Sequence, residues 1–197
     1  MKRLAFSDAM MRAVAAGEKR VTRRMEKRAV PPEAFRAAKF IDGPAIVEIT
    51  DGEVFTSVDP GWLKPRFSVG DLAAATCAHA KMINVFADHN EYETWYRFQR
   101  QSEIQWSTAR VMPAALAPFV LRIEGVRAEQ LGDITDAEAM DEGAMAWAQG
   151  THRWPDVTPR EAFEALWEHV NGVGAWARDR YRWVWAIHFA IAERRIP

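Results

Sequence analysis

Ser7-Asp8-Ala9-Met10-Met11-Arg12-Ala13-Val14-Ala15-Ala16-Gly17-Glu18-Lys19-Arg20-Val21-Thr22-Arg23-Arg24 sets a short helix directly before an extended segment. Ser7 or Asp8 can cap the helix, because a short side-chain oxygen accepts from the orphan amides of the first turn. The spacing predicts a helix running to Ala16, and Gly17 falls where a left-handed residue ends it. Lys19 to Met25 then reads as a turn entering a strand. That turn delivers a lysine, a threonine and three arginines within six residues. Cations packed this densely suit an anionic or strongly polar ligand. Arginine offers a planar fork of donors for phosphate, and lysine a compact charge whose proton affinity shifts on burial.

Outward from this turn, the charge is uneven. Residues 1–28 hold nine Lys or Arg against Asp8, Glu18 and Glu26, in a chain of net charge −1. Residues 129–145 hold Glu129, Asp133, Asp136, Glu138, Asp141 and Glu142 and no Lys or Arg. A basic end and an acidic stretch in a near-neutral chain suggest one anion-seeking face, not an all-round polyanion binder. The 197 residues suit a single domain, 1–197, with 49% hydrophobic and 27% charged residues as in ordinary globular proteins. Apolar runs stay short of the roughly 20 residues of a membrane helix, and no secretory signal is expected. A single cysteine rules out an internal disulfide and fits a cytoplasmic location.

Further along, Ala45 to Thr56 reads as a hairpin turning at Asp51-Gly52. Leu72 to His79 reads as one buried strand despite its alanines, and 89–105 as a helix with a loop. Phe119 to Arg127 alternates like a half-buried strand. Thr135-Asp136-Ala137-Glu138 and Thr158-Pro159-Arg160-Glu161 are capping boxes. Phe163, Leu166, Trp167 and Val170 share a helical face, and Asn171-Gly172 ends that helix. Trp183, Trp185, Ile187, Phe189 and Ile191 share one face of the clearest strand in the chain. Strands separated by short helices without βαβ alternation argue for an α+β fold around a small closed or partly closed sheet. An insertion near 84–105 and a mobile loop near 143–157 are expected.

Four segments in this order resemble the ASCH domain, particularly its phage-type members, which adopt a PUA-like small β-barrel with flanking helices. They are Phe6-Ser7-Asp8 leading to Gly17-x-Lys19-x-x-Thr22-Arg23-Arg24, then Val69-Gly70-Asp71 entering a strand. Trp106, Met112-Pro113 and Glu129 to Thr135 follow, and then Leu166-Trp167, Asn171-Gly172 and Trp183-Val184-Trp185. The resemblance implies binding of RNA or a modified nucleoside in a basic cleft at the barrel mouth. It also implies two activities seen in relatives, hydrolysis of acetylated cytidine and RNA cleavage. Lys19 and Thr22 match the working Lys and Thr of the amidohydrolases, and Arg24 the motif's arginine. The family's third member, a Glu on the strand after Gly-Asp, is not matched. The Arg and Glu positions there hold Thr76 and Cys77. A Glu93-Thr94-Trp95 lies well downstream, by insertion or by coincidence.

Amide hydrolysis needs a base for the nucleophile and a donor for the developing oxyanion. Lys19 and Thr22 can fill those roles, but without a carboxylate the proton relay is incomplete, so binding stands ahead of catalysis. Lys19, Thr22, Arg23 and Arg24 are the expected ligand contacts. Trp62, beside Lys64 and Arg66, and Trp154, beside Arg153, are candidate stacking platforms. Cys77, among alanines, reads as a small buried residue. Cys77 and His79 share a strand face, but two ligands do not make a metal site, and neither metal nor cofactor is expected. A third reading is a protein-interaction module using 129–145 as its surface. The sequence sets no oligomeric state.

Overall fold

The computed structural model describes residues 1–25, 37–38, 47–48, 65–83, 92–99, 104–151 and 156–196. In chain order the elements are β1 (Lys2–Ala5), α1 (Asp8–Ala16), β2 (Val21–Met25), β3 (Ala37–Ala38), β4 (Val47–Glu48), β5 (Leu72–Thr76), β6 (His79–Ile83) and β7 (Tyr92–Tyr96). There follow β8 (Phe119–Gln130), α2 (Asp136–Asp141), α3 (Ala144–Gly150), α4 (Pro159–Asn171), α5 (Ala175–Asp179) and β9 (Trp183–Arg194). Helices and strands mix without βαβ repetition, so the chain is an α+β protein. Two compact units result: Met1–Gly17, Leu72–Arg122 and Ile191–Pro197 form the first, and Glu18–Asp71 with Ile123–Ala190 form the second.

In the first unit β1 runs parallel to β5, with Leu4 opposite Ala75, and β5 runs antiparallel to β8, with Ala73 opposite Leu121. Ala73, Ala74 and Ala75 are all fully buried, so β5 is covered on both faces, which is what a consecutive apolar run requires. Ser7 caps α1, its side chain accepting from the Met10 amide. Met10, Met11, Ala13 and Val14 form the helix's buried face. Gly17 closes it at φ 78°, where a side chain would be strained.

In the second unit β2 runs antiparallel to β9, with Thr22 opposite Ile187 and Arg23 opposite Ala186. Both expected capping boxes form, at Thr135 with Glu138 and at Thr158 with Glu161. Phe163, Leu166 and Trp167 are buried on α4, whereas Val170, in the same predicted stripe, is exposed. Trp167 Nε1 donates to the buried Asp179 Oδ2 at 3.3 Å, and the same carboxylate takes Arg178 and, more distantly, Arg182.

Several expectations change, and one lies partly outside the described residues. The strand predicted over 72–79 breaks at Cys77-Ala78: β5 joins the five-stranded sheet, while β6 pairs with β7 in a separate ribbon. The predicted helix within 89–105 contains β7, because Tyr92-Glu93-Thr94-Trp95-Tyr96 is rich in aromatic and β-branched residues that prefer a pleated surface. Val47–Glu48 pairs with Ala37–Ala38, and the Asp51-Gly52 turn lies outside the described residues. The large sheet has strand order β1-β5-β8-β9-β2. Among the described residues it has β1 and β2 as its ends, and its closure into a barrel is not observed. Residues 144–150, inside the expected mobile loop, form α3.

Candidate functional site

The turn after α1 is fastened by its backbone before any side chain acts. Lys19 forms an isolated antiparallel bridge with Glu142, the Arg20 amide donates to the Asp141 carbonyl at 2.7 Å, and the Phe189 amide donates to the Arg20 carbonyl at 2.8 Å. Glu142 is the C-terminal cap of α2, and Gly143, left-handed at φ 75°, starts α3 directly after it. The carboxylate of Glu142 therefore stands at a sharp junction between two helices, pinned to the turn that carries Lys19.

Lys19 is 4% exposed, and its Nζ donates to Glu142 Oε2 at 2.5 Å and to the Glu142 carbonyl at 2.7 Å. Arg23 Nη1 donates to the other carboxylate oxygen, Oε1, at 3.3 Å, and Arg23 Nε donates to Glu129 Oε1 at 2.6 Å. Arg23 Nη2 lies 3.2 Å from Glu138 Oε2 without hydrogen-bond alignment. Arg127 completes the set, donating from Nε to Glu129 Oε2 at 2.6 Å and pairing through Nη2 with Glu138. Three cations thus alternate with three carboxylates: Lys19, Glu142, Arg23, Glu129 and Glu138, Arg127.

Burial pushes the Lys19 ammonium below its ordinary value, Glu142 opposes this, and the charges of Arg24 and Arg23 add to the lowering. Arg24 is exposed, yet desolvation is the first cause of its guanidinium lying below its usual value, with Glu142 opposing and Arg66 adding to it. His188, opposite Val21 on β9, is half-buried; burial holds its imidazole below its usual value, Arg127 adds to this, and Glu129 opposes it.

The expected ligand contacts therefore separate. Successive side chains along β2 alternate in direction, so Thr22 and Arg24 point to the face opposite Arg23. Lys19 and Arg23 are matched by internal carboxylates, Thr22 is buried, and Arg24 is the exposed one of the four residues. Trp62, Lys64, Arg153 and Trp154 lie outside the described residues. Cys77 is fully buried, and desolvation, aided by the negative charge of Asp8, pushes its thiol up to about 12. It is a core residue and not a nucleophile at neutral pH. Thr76 donates to the Leu4 carbonyl, and Glu93 sits in β7 opposite Met82. Among the described residues no group of three or more His, Cys, Asp or Glu is arranged to hold a metal.

Sequence reasoning missed Glu129, Glu138 and Glu142. Their signal was the acidic stretch itself, which is the counter-charge of the basic turn.

No family model matches the chain, and no curated protein does. Among solved structures it is similar to the crystal structure of an ASCH domain from Lactobacillus crispatus JV V101. The TM-score is 0.35 at 15% sequence identity, over 96% of this chain and 80% of that one. None of the helices described is long and apolar enough to cross a membrane.

Proposed function

We propose that the chain binds a modified nucleoside, free or within RNA, at the turn carrying Lys19, Thr22 and Arg24. The ASCH resemblance of the motif Gly17-x-Lys19-x-x-Thr22-x-Arg24 supplies the ligand class, and with it the expectation of a PUA-like barrel mouth. The observation that carries the reading is the charge matching of Lys19 and Arg23 by Glu142, Glu129 and Glu138. Cations already compensated gain little from phosphate, so the site favours the uncharged polar edge of a base over a run of backbone contacts. Arg24, exposed to solvent on this turn, is the cation placed to meet one phosphate or one acceptor-rich group. Each phosphate contact with a single strand contributes about −0.7 to the log–log salt slope, so RNA binding should be shallow in salt. Calorimetric titration with cytidine, acetylated cytidine and a single-stranded oligoribonucleotide at two salt concentrations tests this. Nucleoside binding nearly independent of salt, weakened by Arg24→Ala, supports the reading. Binding of RNA alone with a slope steeper than about −2, or of none of the three, overturns it.

A second reading, an amidohydrolase acting on acetylated cytidine, is favoured by one contact, the 2.5 Å approach of Lys19 Nζ to Glu142 Oε2. It supplies the carboxylate that the strand after Gly70-Asp71 lacks. Neutral Lys19 would take a proton from water as the water oxygen bonds to the acetyl carbon. It would return the proton to the leaving amine as the C–N bond breaks. General acid–base catalysis of this kind contributes about a hundred- to ten-thousand-fold. Release of acetate by wild type, reduced on that scale in Glu142→Gln, is the expected result; no acetate release by wild type discards the reading.

A further inference from the structure

Arg23 does not meet the ligand role that its place in the basic turn suggests. Its side chain is 1% exposed, and its guanidinium spans Glu129, Glu138 and Glu142. Glu142 therefore has a cation on each oxygen, Lys19 on Oε2 and Arg23 on Oε1. The two differ in kind. Arginine keeps its proton at any working pH, whereas a buried lysine can lose its own. If Lys19 were the sole partner of Glu142, losing its proton would strand a buried carboxylate without a counter-charge, and the proton would stay.

We propose that Arg23 is the positioning residue of this site: by gripping Oε1 it fixes Glu142 against Lys19 and supplies the counter-charge that lets Lys19 give up its proton. The charges around the pair fit this role. Arg23 and Arg24 come from β2, Arg127 and Glu129 from β8, His188 from β9, and Glu138, Asp141 and Glu142 from α2 and its cap. Within the contact cluster Lys19, Arg23 and Arg127 face Glu129, Glu138 and Glu142, three charges against three. Lysine is the one of the three cations able to release its proton. Desolvation of Lys19 acts in the same direction. The use to which the proton is put rests on the ligand reading above; Arg23's hold on Glu142 does not.

The test is a titration of Lys19 by the ¹³Cε shift of labelled lysine in wild type, Arg23→Gln and Arg23→Lys. Loss of the guanidinium charge should move the Lys19 midpoint upward in Arg23→Gln, and Arg23→Lys should bring it back toward wild type. One midpoint shared by all three proteins overturns the proposal. Should Arg23→Gln fail to fold, wild type decides: a Lys19 midpoint below the ordinary 10.5 is expected, and one at that value refutes Arg23's role. Upward movement in Arg23→Gln with no nucleoside binding by wild type would retain Arg23's role and discard the ligand reading alone.

Discussion

The guanidinium of Arg23 lies over the ring of Phe163, 5.7 Å from its centroid, so the apolar face of α4 covers the ionic cluster on one side. A π face attracts a cation without accepting its proton, and it excludes water that would otherwise screen the carboxylates. The cluster is consequently sensitive to the loss of any one member.

Glu142→Ala should cost about 3–5 kcal/mol, because it leaves Lys19 and Arg23 buried with a missing counter-charge. Urea unfolding followed by far-UV circular dichroism measures this. The double variant Lys19→Met with Glu142→Leu should regain much of the loss, since a buried pair replaced by apolar groups of similar size is often nearly neutral. A double variant no more stable than Glu142→Ala would show that the backbone bridge at Lys19, not the ion pair, carries the stability.

Gly132→Ala should destabilise by about 1–3 kcal/mol. A Cβ there would lie 2.8 Å from the carbonyl oxygen of Arg180, the atom that accepts from the Gly132 amide at 2.7 Å. The obstacle is backbone, so it has no rotamer into which to withdraw. A drop in melting temperature read by calorimetry checks it.

The Cys77 thiol should resist iodoacetamide in the native protein at pH 8 and react on unfolding. Its folded pKa of about 12 lies above the ordinary 9.0, so the protonated thiol favours the folded state. That contribution is full below about pH 9 and is lost as pH rises toward about 12. Cys77→Ala should flatten the alkaline limb of the stability profile.

Asp179 acts at the other end of the scale. The Arg178 hydrogen bond, reinforced by Trp167, holds its carboxyl below the ordinary 3.8. A depressed carboxylate stabilises the fold fully above its unfolded value, and the contribution disappears as pH falls through the lower folded value. Asp179→Asn should be less stable at pH 7 and less acid-dependent below pH 4, as measured by urea midpoints across that range.

Local patterns in the sequence were read correctly where a rule acts within a few residues. Ser7 and Gly17 bracket α1, both capping boxes form, and the strand expected from Trp183 to Ile191 forms within β9. The failures came where distant partners decide. Lys2-Arg3-Leu4-Ala5 has no strand signature of its own and becomes β1 by pairing with β5, and β7 was hidden inside a polar, aromatic stretch. Two motif residues were located in sequence without their surroundings: Lys19 and Arg23 looked like open cations because Glu142 and Glu129 stand more than a hundred residues away. The charge imbalance between 1–28 and 129–145 was visible, and its meaning was mutual neutralisation.

The interleaving of the two units has a practical corollary. The chain enters the first unit three times and the second twice. A single cut anywhere along the backbone thus fails to release either unit whole. Truncation from either terminus begins by removing part of the first unit, and the N-terminal seventeen residues cannot be trimmed as a tail. A circular permutant opened at an exposed turn is the economical way to ask which unit folds first.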